Sequence, residues 1–179
     1  RDGASASGIP GSVAGMFEIL KYAKLKMAKL IQPAIELAAN GYVITEKEAR
    51  GLNATRAQFL KNSSAPSAFT QKEQWKAGDT LVQTDLANTL IRIQKNGLAG
   101  FYEGETAEYI VKEMANSKGI ISLEDLKNYQ VEEREPLCGP YLRYKVCVMA
   151  PPSFGGVMVL QVLQMLAEKS NLGTDFNQP

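Results

Sequence analysis

The hydrophobic period changes once along this 179-residue chain, and that change limits what it can fold into. From Ser12 to Lys118 apolar residues recur three and four apart, the repeat of amphipathic helices. Further on the repeat becomes two. Tyr144, Val146 and Val148 alternate with Lys145 and Cys147, which predicts a strand over 141–149, with 130–136 as a weaker partner strand. A Pro- and Gly-rich loop, Pro151 to Gly156, then leads into a last helix through Leu160, Leu163 and Leu166. One hairpin is too little strand to close a sheet, so it must find partner strands elsewhere or pack on helices.

Local punctuation divides the helical part. A helix is expected after Ser12 with Val13, Met16, Phe17 and Leu20 on one side, and a second run around Leu25 to Ile31. Pro33 suits the first position of a third helix, with Ile35, Ala38 and Ala39 as its face and Asn40-Gly41 as its stop. Thr45-Glu-Lys-Glu48 matches a capping box, and the helix it opens places Ala49, Leu52, Arg56 and Phe59 on one side. Residues 62–70 read as a loop and Gly78-Asp79 as a turn. Thr84 is expected to cap a helix carrying Leu86, Leu90 and Ile93, stopped at Asn96-Gly97. Ala107, Ile110, Val111 and Met114 define the next, ended by Lys118-Gly119. Ser122-Leu-Glu-Asp125 opens a short helix, Ser122 at the N-cap and Asp125 at N3, flanked by the staple pair Ile121 and Leu126. The expectation is about six helices, a hairpin and a helix, with no internal repeat.

Residue types narrow the chemistry. With 20 Lys+Arg against 19 Asp+Glu there is no basic excess for nucleic acid. The chain has no histidine, which removes self-contained Ser-His-Asp and Cys-His catalysis and most zinc sites. Cys138 and Cys147 are too few for a tetrahedral metal site without imidazole, and no Cys-x-x-Cys occurs. No apolar run approaches the ~18 residues of a membrane span, and no signal-peptide pattern stands at the start. The opening Arg-Asp-Gly and closing Asn-Gln-Pro are both expected to be interior sequence.

Several groups are weighed as sites. Gly8, Gly11 and Gly15 precede a helix and could present N–H groups to an anion, but their spacing fits no phosphate loop and a turn is simpler. Paired carboxylates at Glu103/Glu105, Glu124/Asp125 and Glu132/Glu133/Glu135 could run glycoside hydrolysis. Glu124 and Asp125 fit a helix start better, and the three glutamates around Arg134 fit a solvated strand edge. Gln83, Asp85 and Asn88 could bind a polar substrate but more simply cap a helix; Trp75, Phe101 and Tyr102 read as core aromatics. Ser153 is the most site-like serine, between two prolines and two glycines, yet no base is in view.

Six segments occur in a telling order: Ser7-Gly-Ile-Pro-Gly-Ser-Val-Ala-Gly15, Gln32-Pro-Ala-Ile-Glu-Leu-Ala-Ala-Asn-Gly41, Phe101-Tyr-Glu-Gly104, Gly119-Ile-Ile-Ser-Leu-Glu-Asp-Leu-Lys-Asn-Tyr129, Arg134-Glu-Pro-Leu137 and Pro151-Pro-Ser-Phe-Gly-Gly156. Together they resemble the gamma-glutamyltranspeptidase family of N-terminal nucleophile hydrolases, over nearly the whole chain. The resemblance implies an α+β fold: a mainly α-helical segment, 1–129, followed by a β-hairpin, loop and helix, 130–179, that join a four-layer αββα core. It implies an enzyme that cleaves gamma-glutamyl amides such as glutathione and transfers the gamma-glutamyl group to water, amino acids or peptides. The implied nucleophile is the N-terminal Thr of a small subunit, with its own α-amino group as base, so no imidazole is needed.

By this likeness the chain corresponds to the later part of the large subunit, inactive alone, its partners being the small subunit and the rest of the large one. Arg1 stands too close to Gly8 to match the family's substrate-binding arginine. No residue therefore takes a catalytic, substrate-binding or metal role, and no cofactor is implied. A periplasmic or secreted location follows from the family. An acylase, a capsule-processing transferase or a non-catalytic scaffold are the alternatives. Ala150 and Phe154 replace a family Pro and Ser, which leaves Phe154 a packing residue. The family also places a hairpin turn at Leu142-Arg143, which would set Cys138 opposite Cys147 and open a disulfide. A turn at Gly139-Pro140, favoured by turn propensity, would pair Cys138 with Tyr141 and form no bridge.

Overall fold

Helix ends leave backbone groups open, and most boundaries in this protein fall where a side chain or glycine deals with them. The structure is a computed structural model describing residues 3–168. It divides into two compact units, Arg1–Val131 and Glu132–Pro179.

The first unit contains α1 (Ser12–Ile19), α2 (Met27–Leu30), α3 (Gln32–Asn40), β1 (Tyr42–Val43), α4 (Glu46–Asn62), β2 (Thr80–Leu81), α5 (Thr84–Asn96), α6 (Ala99–Tyr102), α7 (Gly104–Asn116) and α8 (Leu123–Lys127). Both predicted capping boxes form. The Glu48 N–H donates to Thr45 Oγ1 (3.3 Å) while Glu48 Oε2 accepts from the Thr45 N–H (2.7 Å). Ser122 and Asp125 repeat the arrangement at 3.2 and 2.8 Å. Gly41 and Gly97 end α3 and α5 with φ of 78° and 63°, which a residue with a Cβ resists.

Two buried clusters hold this unit. Val13, Ala14, Ile93, Tyr102, Ala107, Ile121 and Leu126 form the larger one, from α1, α5, α6, α7 and the start of α8. Ile44, Ala49, Trp75 and Leu81 form the smaller one beneath α4. There β1 pairs antiparallel with β2, Tyr42 opposite Leu81 and Val43 opposite Thr80. That ladder is only two residues long, so no period-two signal announced it. Gly100, buried in α6, lies so close to α5 that a Cβ would overlap the Arg92 carbonyl.

Several expectations are corrected here. The described residues hold nine α-helices, not about seven; α6, a one-turn piece whose periodicity is too short to read, is the helix with no expected counterpart. Pro33 takes the second position of α3, not the first, and Ala39 faces solvent. Thr84 lies inside α5; Gln83 holds the cap position, and its side chain makes no capping bond. The inner side of α5 is Ala87, Leu90 and Ile93, with Leu86 exposed.

In the second unit β3 (Leu137–Tyr141) pairs antiparallel with β4 (Tyr144–Val148), and α9 (Phe154–Ala167) follows. The partner strand is therefore 137–141 and not 130–136; residues 131–136, including Glu132, Glu133 and Glu135, form no strand. The turn is Leu142-Arg143, Leu142 taking φ 52°. A two-residue turn makes Tyr141–Tyr144 the hydrogen-bonded closing pair, and alternation then makes Pro140–Lys145 a non-hydrogen-bonded one. Pro140 thus loses no ladder bond by lacking an N–H, which is why its turn signal is overridden. The same phase sets Cys138 opposite Cys147, and a disulfide joins them across a Cα separation of 4.1 Å. Helix α9 lies on the other face: a Cβ at Gly139 would touch Leu160, and one at Gly156 would overlap the Met149 carbonyl.

Candidate functional site

The loop between β4 and α9 was the most site-like stretch. It is shorter than expected, because α9 already begins at Phe154. The Pro151–Pro152 bond is cis, and the Ser153 N–H donates to the Ala150 carbonyl at 3.1 Å. Ser153 is the N-cap of α9, and its hydroxyl makes no capping bond. Phe154 does not pack; it is 71% exposed, because the first turn of α9 presents Gly156, not Phe154, to the backbone of Met149.

A second grouping is polar and comes from two helices. Asp85, Asn88, Thr89 and Arg92 of α5 meet Glu105 and Tyr109 of α7, with Ala65, around a cavity of about 410 Å³. Arg92 braces the helices. Its Nε donates to Thr106 Oγ1 (2.8 Å), and its terminal nitrogens to Glu105 Oε2 (3.1 Å) and Thr89 Oγ1 (3.2 Å). The Tyr109 hydroxyl donates to the other Glu105 oxygen (2.6 Å), and that bond to a carboxylate raises the phenol above its ordinary range. The Asn88/Arg92 spacing of four was the sequence signal that could have found this group, since it puts both on one helix face. Glu105 is thus an ion-pair partner, while Glu103 stands at the N-cap position of α7 without a side-chain capping bond and Gln83 stands outside the cavity.

The remaining candidates serve the fold. The start of α1 is occupied from within: the Ala14 N–H donates to Tyr102 Oη (3.2 Å), whose own hydroxyl donates to the Pro10 carbonyl (2.6 Å). Burial pushes the Tyr102 phenol up, and its ring stacks on Tyr129 at 5.7 Å. Trp75 is buried, with Nε1 donating to the Phe69 carbonyl at 2.8 Å. Phe101 sets its ring edge-on to Tyr102. Glu124 and Asp125 lie in the first turn of α8, where the Ser122 hydroxyl bond holds the Asp125 carboxyl below the usual range. Glu132 pairs with Arg134. Among the described residues no cluster of three or more His, Cys, Asp or Glu could hold a metal.

The gamma-glutamyltranspeptidase family model matches residues 1–179. The chain belongs to the gamma-glutamyltranspeptidase family. It is 42% identical to the glutathione hydrolase proenzyme of Escherichia coli over 164 residues, 90% of this chain and 28% of that protein. It is also 42% identical to the capsule biosynthesis protein CapD proenzyme of Bacillus anthracis over 169 residues, 94% of this chain and 30% of that one. The crystal structure of Helicobacter pylori gamma-glutamyltranspeptidase superposes with a TM-score of 0.89 at 43% identity, covering 99% of this chain and 52% of that chain. The chain thus spans under a third of these two curated relatives and about half of that solved chain. The observed α+β fold is that of this N-terminal nucleophile hydrolase family, as the motif order implied.

Proposed function

We propose that this chain is a segment of an enzyme that cleaves gamma-glutamyl amides such as glutathione and passes the gamma-glutamyl group to water, amino acids or peptides. One observation carries the reading: the family match runs the whole length of the chain, with 42% identity to a protein named as a glutathione hydrolase proenzyme. The nucleophile is a Thr at the N-terminus of a small subunit, activated by its own amine. A segment without histidine fits that chemistry. The small subunit and the rest of the large subunit are its partners, and no residue of this chain is assigned a catalytic or substrate-binding role. The enzyme is periplasmic or secreted; among the described residues no helix is long and apolar enough to cross a membrane. A capsule-processing transferase is the second reading, favoured by equal identity to CapD.

The test is release of p-nitroaniline from gamma-glutamyl-p-nitroanilide. The 179-residue chain should release none, and the full-length parent should turn the substrate over. Turnover by the chain alone would overturn the assignment of the nucleophile. A full-length parent inactive on this substrate but active on capsule polymer would move the reading to capsule processing. Inactivity on both would make the parent a scaffold.

A further inference from the structure

The two faces of the β3–β4 hairpin differ. Gly139, Val146 and Val148 share the face against α9. Strand alternation puts Cys138, Pro140, Lys145 and Cys147 on the opposite face. There Cys147 is exposed and Cys138 half-buried. Cys138 lines a cavity of about 430 Å³ with Pro140, Leu142, Arg143, Tyr144 and Lys145. Two basic side chains, Arg143 and Lys145, and no carboxylate stand among those lining residues. Arg143 is held in place, donating to the Tyr144 hydroxyl at 2.8 Å with its guanidinium 5.1 Å from the ring centroid.

We propose that the Cys138–Cys147 disulfide is a thiol-exchange site for small anionic thiols, entered at the Cys147 sulfur. Exchange requires a thiolate to reach one sulfur while the other departs as a thiolate. Cys147 is the more exposed residue of the pair, which favours attack at its sulfur. Cys138 is the better leaving group, because a thiolate formed there shares its cavity with Lys145 and Arg143, and nearby cations lower a thiol pKa.

The incoming thiolate bonds to Cys147 Sγ, the disulfide bond breaks, and its electron pair stays on Cys138 Sγ. A second thiolate attacks the small-molecule sulfur of the mixed disulfide, releasing the oxidised dimer of the thiol and a Cys147 thiolate. Two thiols are oxidised to one disulfide, the protein disulfide is reduced, and the protons given up by the thiols balance those taken by the two cysteines. The same cations draw an anionic thiol and repel a cationic one, an effect that salt screens. None of this depends on gamma-glutamyl transfer.

The probes are glutathione, which is anionic, and cysteamine, which is cationic. The full-length protein is incubated with each under native conditions at low salt, acid-quenched, alkylated and mapped by peptide mass spectrometry. Glutathione should appear on Cys147 with Cys138 alkylated. Its rate per thiolate should exceed that of cysteamine by about tenfold, a ratio that collapses at high salt. Lys145→Glu should reverse the preference and Lys145→Gln should remove most of it. Both changes sit on an exposed position, so folding is not at stake. An adduct on Cys138, exchange only after denaturation, or a preference unmoved by Lys145→Glu would each overturn the proposal.

Discussion

The two units solve the problem of staying folded in different ways. Arg1–Val131 has two buried clusters, each built around an aromatic side chain whose polar atom has a partner: Tyr102 in one and Trp75 in the other. In Glu132–Pro179, Leu160 is the one buried hydrophobic side chain among the described residues, while Met158, Val159, Val162 and Met165 of α9 are exposed. What holds this unit is short-range: a disulfide within a hairpin and glycines that let α9 approach the strands and the Met149 backbone. Area removed from water stabilises the first unit, and a constraint on the unfolded chain stabilises the second. The two should therefore fail under different insults.

Trp75→Ala is the largest insult to the first unit. It empties the centre of the smaller cluster and leaves the Phe69 carbonyl without its donor. A loss of about 3–5 kcal/mol is expected for deleting a buried Trp. Hydrogen exchange should show protection falling at Ile44 and Leu81 and unchanged in the hairpin. Equal loss in both units would break the comparison.

Reducing the disulfide is the reciprocal experiment. Its sequence separation is 9, and closing so short a loop contributes about 2–3 kcal/mol. Exchange at Val146 and Val148 should speed up accordingly, with Ile44 and Leu81 unmoved. Cys138→Ser should reproduce the effect without reductant. A hairpin as well protected after reduction as before would show that contact with α9 suffices.

What the sequence disclosed follows the range of the interaction responsible. The caps at Thr45 and Ser122 and the stops at Gly41 and Gly97 depend on residues three or four apart, and each was legible. Phase was harder. Leu86 and Ala87 differ by one step around α5, and only the packing partner decides which is buried. Gly139-Pro140 carries strong turn chemistry, but the ladder phase that removes its force depends on where the whole hairpin closes. The family comparison held that information and local propensity did not. Phe154 was misjudged for a similar reason, since its exposure depends on how α9 meets Met149. The Arg92 group joins α5 to α7, and nothing in either helix alone names the other.

The smallest expected effect tests whether the first unit also has a local, electrostatic component. Asp79 closes the turn before β2. Its carboxylate accepts from Lys72 Nζ (2.6 Å) and from the Lys76 N–H (2.8 Å), and the bond from the lysine, with the backbone bond next, holds it below the ordinary aspartate range. The depressed folded pKa means that the stabilisation is present above the unfolded value, about 3.9, and is lost as pH falls through the lower folded value. The Lys72 ammonium also lies 5.4 Å from the centroid of the Trp75 ring, so the turn and the smaller cluster share a group. Acidification through that window should loosen the Lys72 contact and shift Trp75 fluorescence, and Asp79→Asn should remove the pH dependence without touching the hairpin. Both partners reach solvent, so the effect on stability is small. A Trp75 signal that keeps the same acid transition in Asp79→Asn would locate the titrating group elsewhere and remove this turn from the supports of that cluster.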